Sequence, residues 1–272
     1  MRIWSIGGWL LFVAMATCVV WGRQLSVATG QAPTASVSAA PAAQIIPPPP
    51  DYHLPNGETY VYGVEWHMFS AGTSKVTILA DGNQEHVIGV GESGGMISAL
   101  YKVHDHFDAY FDPHTFCSTH VSKHSEEGSR LRQVELRFDY ALHKGILDEK
   151  NLKTGESKHE ETEIPGCVTD VVSGFYYVAS LPLRLGNTYS FQVHDGKTSE
   201  VKAQVEGKEE VKVPWGKYQT VRVKAEATSG NLQGKGTVWA WFSDDNQHLP
   251  VQMRSKLPWG SLMFKLQRIE KQ

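Results

Sequence analysis

The sequence predicts a mainly β protein, a large antiparallel sheet curled into a barrel or half-barrel with one short helix, about 169–181, packed on it. Three observations carry that reading. Apolar residues recur at every second position in stretches spread between Tyr60 and Leu266, the period of strands with one face buried. Asp-Gly, Glu-Gly and Asp-Asn pairs sit between those stretches, as reversals of antiparallel strands require. A single block, Asp170 to Leu181, breaks the period and follows helical spacing instead.

The chain of 272 residues begins with Arg2 and an uncharged apolar run from Ile3 to Gly22, ended by Arg23. A short positive region before an apolar run fits a secretory signal, with small residues at Ala28 and Gly30 or Val20 and Gly22 available for cleavage. About 20 apolar residues also span a bilayer, so residues 1–30 are a signal peptide or an uncleaved anchor formed by residues 3–22. A lipoprotein reading would use Cys18, but Thr17 stands where a smaller residue is usual. Residues 31–50 are rich in Ala, Ser, Val and Pro and end in Pro47-Pro48-Pro49-Pro50, a composition that buries little and stiffens as polyproline II. They read as a spacer, with a single folded domain over 51–272.

That domain holds 24 basic against 29 acidic residues, because Arg2 and Arg23 are the only charges before it, and its net charge is −5. Phosphate contacts need a concentrated basic patch, so no nucleic-acid partner is expected. Export predicts a periplasmic or cell-envelope location, with membrane contact only through the N-terminal segment.

Within the domain, Tyr60, Tyr62, Val64, Trp66 and Met68 line one face of a first strand, and Val134, Leu136, Phe138, Tyr140 and Leu142 one face of another. Tyr189, Phe191 and Val193 follow, then Val221, Val223 and Ala225, and finally Leu262, Phe264 and Leu266. Turns are predicted at Asp81-Gly82, Asp195-Gly196, Glu206-Gly207 and Asp244-Asp245-Asn246. Thr169 or Asp170 can cap the helix, Val171, Phe175 and Val178 repeat along it, and Leu181-Pro182 ends it because a residue before Pro avoids helical backbone. With apolar residues around most of its circumference, the helix needs a concave face to cover.

The order Gly57-Glu58-x-Tyr60-x-Tyr62-x-Val64-x-Trp66, Ala71-Gly72, Asp170-x-x-Ser173-x-x-Tyr176-Tyr177 and Leu181-Pro182-Leu183-x-x-Gly186 resembles the DUF3108 family of exported bacterial proteins. Gly216-x-Tyr218-x-Thr220 and Trp241-x-Ser243-x-Asp245 before Leu249-Pro250-Val251 extend the resemblance over nearly all of 55–269. It implies an envelope location and a β-rich fold and, since that family has no settled function, no catalytic residue. Such a sheet closed by a helix is similar to periplasmic carriers of lipoproteins and lipids, at the level of fold only.

Without the leader, Cys117 and Cys167 remain, an even pair in an oxidising compartment, and a disulfide between them is expected. Seven of twelve histidines fall between His104 and His159, and His104 with His106 share a strand face. Neutral imidazole suits zinc or copper, but nothing in the spacing makes three or four ligands converge, so solvent-facing histidines are expected and no metal or other cofactor. Ser93-Gly94-Gly95 and Ser173-Gly174 lack the strand-turn-helix setting of a nucleophile elbow, and Asp244-Asp245 reads as a turn, so no enzyme is expected. The large apolar side chains Tyr62, Trp66, Phe138, Tyr140, Phe175, Tyr176 and Trp241 are the candidate lining of a cavity in an open barrel. Two functions stand: a binding module holding an apolar or lipid-like ligand, and a structural or assembly factor acting through its surface on an envelope protein partner.

Overall fold

The computed structural model describes residues 45–50, 52–258 and 260–271, so the leader, Cys18 and most of the spacer lie outside the described residues. Fourteen strands form one sheet: β1 Glu58–Trp66, β2 Phe69–Asp81, β3 Gln84–Ser93, β4 Val103–Phe111, β5 Ser118–Glu127, β6 Arg130–Asp139, β7 Lys144–Asn151 and β8 Ser157–Glu163 precede the main helix. After it come β9 Thr188–His194, β10 Thr198–Val213, β11 Gly216–Ala227, β12 Thr237–Ser243, β13 Pro250–Leu257 and β14 Gly260–Lys271. A short helix α1, Gly95–Leu100, links β3 to β4, and α2, Val171–Ser180, links β8 to β9.

Sequential strands pair antiparallel throughout, and β1 joins β14, so the order runs β8 to β1 and then β14 to β9. The sheet is therefore a meander cut once, between β8 and β9, where α2 intervenes. No ladder closes that cut among the described residues, which makes the object a half-barrel whose edges meet through side chains and a bridging segment. Thr162 Oγ1 of β8 lies 3.2 Å from Gly196 O beyond β9. The Ser118 amide donates to Val168 O at 3.0 Å, and the Thr169 amide to Gln192 O at 3.0 Å, so residues 168–169 bridge β5 to β9. The Cys117–Cys167 disulfide, with Cα atoms 5.1 Å apart, staples the same seam from the β4–β5 loop.

The sequence pattern places the inner face correctly along much of the sheet. Tyr60, Tyr62, Val64, Val221, Val223, Phe264 and Leu266 are all buried. Four local expectations are corrected. Glu206-Gly207 is not a turn: β10 runs on to Val213 and the register slips between Val205 and Gly207, a β-bulge that a glycine admits. Met68 and Leu142 carry the alternation past the ends of their strands and lie exposed in turns. Tyr140 likewise follows the end of β6 at Asp139. The second helix, α1, is too short to show a period and has no buried residue.

Helix α2 is capped as its residues imply. Asp170 Oδ1 accepts from the Val172 and Ser173 amides at 2.6 and 3.2 Å, and Ser173 Oγ accepts from the Asp170 amide at 3.0 Å, a reciprocal capping box. A cap buried this deeply also needs its second oxygen filled, and Ser118 Oγ of β5 donates to Asp170 Oδ2 at 2.6 Å. Gly174 lets the helix approach: a Cβ there would stand 2.9 Å from Thr169 Oγ1 and 3.0 Å from the Phe191 ring. Tyr177 meets Phe191 and Phe116 edge-on at 5.1 and 5.8 Å between ring centres. Residues 45–50 and 52–54 pack beside α2, with Leu54 buried, Ile45 and Tyr52 packed on the core, and the Ile46 amide donating to Tyr177 Oη at 3.0 Å.

Candidate functional site

Antiparallel strands send alternate side chains inward, so the inner face of β9–β13 presents Phe191, Val201, Val223, Ala240 and Phe242 to the underside of α2. The helix returns Val171, Gly174, Phe175 and Val178. Helix and sheet do not meet completely, and the space left is an apolar cavity of about 130 Å³, comparable to the roughly 150 Å³ that accommodates one benzene ring. Phe175 leans on Phe242 with ring centres 5.4 Å apart and forms the wall shared by pocket and core. The strand ends Ala227 and Leu257 and the β11–β12 loop lie around it, where Leu232 is buried and its amide donates to Ser199 Oγ at 3.1 Å.

Of the seven aromatic candidates, the structure brings only Phe175 to this cavity. Tyr62 is buried in the core and donates from its hydroxyl to Pro250 O at 2.9 Å. Tyr176 is also buried on α2, and desolvation pushes both phenols well above their ordinary range. Trp66 packs partly on the core at the end of β1. Phe138 and Tyr140 belong to a separate cluster with Leu136, Ile164 and Val168, where the Tyr140 hydroxyl donates to Ser118 O at 2.6 Å and ties the seam. Trp241 alternates to the outer face, and its Nε1 donates to Glu209 Oε1 at 2.8 Å. What sequence reasoning missed is the set of smaller residues, Gly174, Val178, Val223 and Ala240, whose modest size leaves the space; only their shared parity with the predicted inner face could have flagged them.

The inner face of β4–β8 is different. Asp105, Lys123, Ser125 and Glu127 are all buried there. Burial and the adjacent Glu127 push the Asp105 carboxyl up to about 7, while burial pulls the Lys123 ammonium down to about 8 against the pull of Asp105 and Glu127. Asp195, in the β9–β10 turn, is raised by burial to about 6. His194 is fully buried at the seam, its Nδ1 3.0 Å from Thr198 Oγ1 and its Nε2 3.3 Å from Thr162 Oγ1, and burial lowers it to about 4.

The histidines of β3–β5 lie on the outer face, each beside a carboxylate. His86 and His106 take the two oxygens of Asp108 at 2.8 and 3.1 Å, His104 meets Glu92 at 3.2 Å, and His120 meets Glu135 at 2.7 Å. Among the described residues no group of three His, Cys, Asp or Glu side chains is arranged to hold a metal ion. No helix among them is long and apolar enough to cross a membrane.

Residues 61–267 match the model of a family described as a protein of unknown function, DUF3108, and the chain belongs to that family. In fold it is similar to the crystal structure of a β-barrel-like protein of the DUF1849 domain of unknown function from Brucella abortus. The TM-score is 0.55 at 8% identity, over 84% of this chain and 99% of that one. A protein with a YmcC-like fold from Bacteroides fragilis aligns over 81% of this chain and 98% of that one at 10% identity, with a TM-score of 0.31. No curated protein matches the chain by sequence.

Proposed function

We propose that this is an exported cell-envelope protein and a non-catalytic binding module that holds an apolar group between α2 and the inner face of β9–β13. The observation that carries the reading is the unfilled apolar space under a helix whose other side chains are tightly packed. A filled core leaves no such gap, since interiors pack to crystal density. Its size sets the ligand class. Sites for drug-sized molecules run to roughly 300–1,000 Å³, so about 130 Å³ suits an aromatic ring or the end of an acyl chain rather than a whole lipid. The apolar run at residues 3–22 supports export.

A second reading, an envelope assembly factor acting through its surface, is favoured by one observation. Met68 and Phe69 in the β1–β2 hairpin and Met96 and Leu100 on α1 are 62–89% exposed, more apolar surface at one end of the sheet than a solitary domain needs. Displacement of a fluorescent apolar probe separates the two. If the cavity binds, octanoate displaces the probe from the wild type and Phe175→Ala releases it faster, while Met68→Ser/Met96→Ser leaves both unchanged. Equal probe behaviour in wild type and an Ala225→Trp variant, whose indole fills the space, would rule the cavity out.

A further inference from the structure

At the end of the sheet away from the apolar pocket, the proline run and the residues after it roof a second cavity of about 250 Å³. Its walls are Pro47 to Pro50, Tyr52 and Leu54 on one side and Pro113 with His114 from the β4–β5 loop on the other. Glu85, the second residue of β3, lines it and is only 7% exposed. One carboxylate oxygen, Oε1, accepts from Asn56 Nδ2 at 3.3 Å, whereas Oε2 is buried with no hydrogen-bond partner among the described residues. Among the described residues no Lys or Arg lines the cavity, and its basic side chains are the imidazoles of His53 and His114.

A carboxylate taken out of water needs a donor on each oxygen and an opposite charge nearby, or it takes a proton. Burial does raise the tendency of Glu85 to hold one. Glu85 lines the cavity and its Oε2 has no partner among the described residues, so an N–H brought there by a ligand would complete the set. The proline faces and the Tyr52 ring offer flat apolar walls for an alkyl chain or guanidinium plane beside it.

We infer that this cavity is a binding site for a small organic cation, a primary alkylammonium or a guanidinium, paired with the Glu85 carboxylate under the proline strap. A metal ion fits less well because no three ligating side chains converge among the described residues. The site is independent of the apolar pocket, from which it shares no lining residue.

Calorimetric titration of the mature protein with agmatine and n-butylammonium, with n-butanol as the neutral counterpart, tests it. Both cations are expected to bind and butanol not. Affinity should rise with pH as Glu85 loses its proton, and Glu85→Gln, which keeps the shape and the Asn56 contact, should weaken binding at least tenfold. A measurement on the wild type guards against a variant that misfolds: ¹³C-carboxyl NMR should show agmatine lowering the Glu85 pKa by a unit or more. Butanol binding as well as the amines, a calcium or zinc salt displacing them at equal concentration, or a Glu85 titration that agmatine leaves in place would each overturn the assignment.

Discussion

The two halves of the sheet share one meander topology and one inward parity yet fill their inner faces with opposite chemistry. Strands β9–β13 turn Phe191, Val223, Ala240 and Phe242 toward α2 and leave an apolar space. Strands β4–β5 turn Asp105, Lys123, Ser125 and Glu127 inward and bury them among one another. Burial of apolar area stabilises the first at any pH, whereas the second is held by charges whose desolvation nearly offsets their attraction. The helix belongs to the apolar half but is stapled to the polar one, through Asp170 to Ser118 and through Cys167 to Cys117.

Breaking the staple tests the comparison most severely. Closing a loop of about 50 residues is worth about 4 kcal/mol in the chain-entropy model. Reduction, or Cys117→Ser with Cys167→Ser, should therefore lower stability by that order, and the native protein should be 2 Da lighter than the reduced one. If the halves depend on each other the denaturation curve stays a single transition; two transitions would show that the apolar half folds alone. Phe242→Ala, fully buried on the apolar side, should cost about 3–5 kcal/mol by lost burial and a larger cavity, seen as a lower urea midpoint at every pH.

The polar half and its seam should answer to pH, with two opposed signs. Asp105 keeps its proton up to about 7 when folded against 3.8 in its ordinary state, so the folded protein binds more protons between those values. Its contribution is complete below 3.8 and is lost as pH rises through 7. His194 is lowered from 6.5 to about 4, so it stays neutral where the unfolded chain is charged, and about 3 kcal/mol is lost as pH falls from 6.5 through 4. Asp195, raised by burial to about 6, and Glu85, also raised by burial, carry the same sign as Asp105, so the wild type should gain stability between pH 7 and 4. Against that gain, His194→Gln should gain more and Asp105→Asn less, both read from urea midpoints at the two pH values. Parallel pH profiles for the two variants would remove the polar half's charge balance from the account.

A steric test sharpens the seam itself. A Cβ on Gly145 of β7 would come within 2.4 Å of His194 Nε2, so Gly145→Ala should cost about 1–3 kcal/mol by overpacking, whereas at Gly207, whose Cβ would meet nothing within 4 Å, the same change stays near neutral. The smallest effect belongs to Phe175→Ala. Phe175 is half-buried on the pocket wall, so about 1–2 kcal/mol is expected, with faster release of bound apolar probe as the more sensitive reading.

How much of this was legible in the sequence follows from which interactions are local. The alternation through Tyr60, Tyr62 and Val64 marks an inner face because each strand must bury one side, and Asp170 with Ser173 marks a helix start because a cap is a four-residue event. Glu206-Gly207 misled because the same glycine signal serves turns and bulges, and only the partner strand β11 decides between them. Asp105 sits between His104 and His106 in a charged, polar stretch that reads as solvent-facing, and its inward position emerges only from its parity with Phe107. The pocket was the least legible part. A cavity is what side chains fail to fill, and that failure depends on Gly174 of α2 and Ala240 of β12, distant in the chain, lining the same space.

Native mass spectrometry of protein purified from its own envelope addresses the central claim directly. The account predicts a wild type carrying a noncovalent apolar adduct of small mass, absent from Ala225→Trp prepared the same way. An adduct-free wild type that also fails to bind octanoate would contradict it.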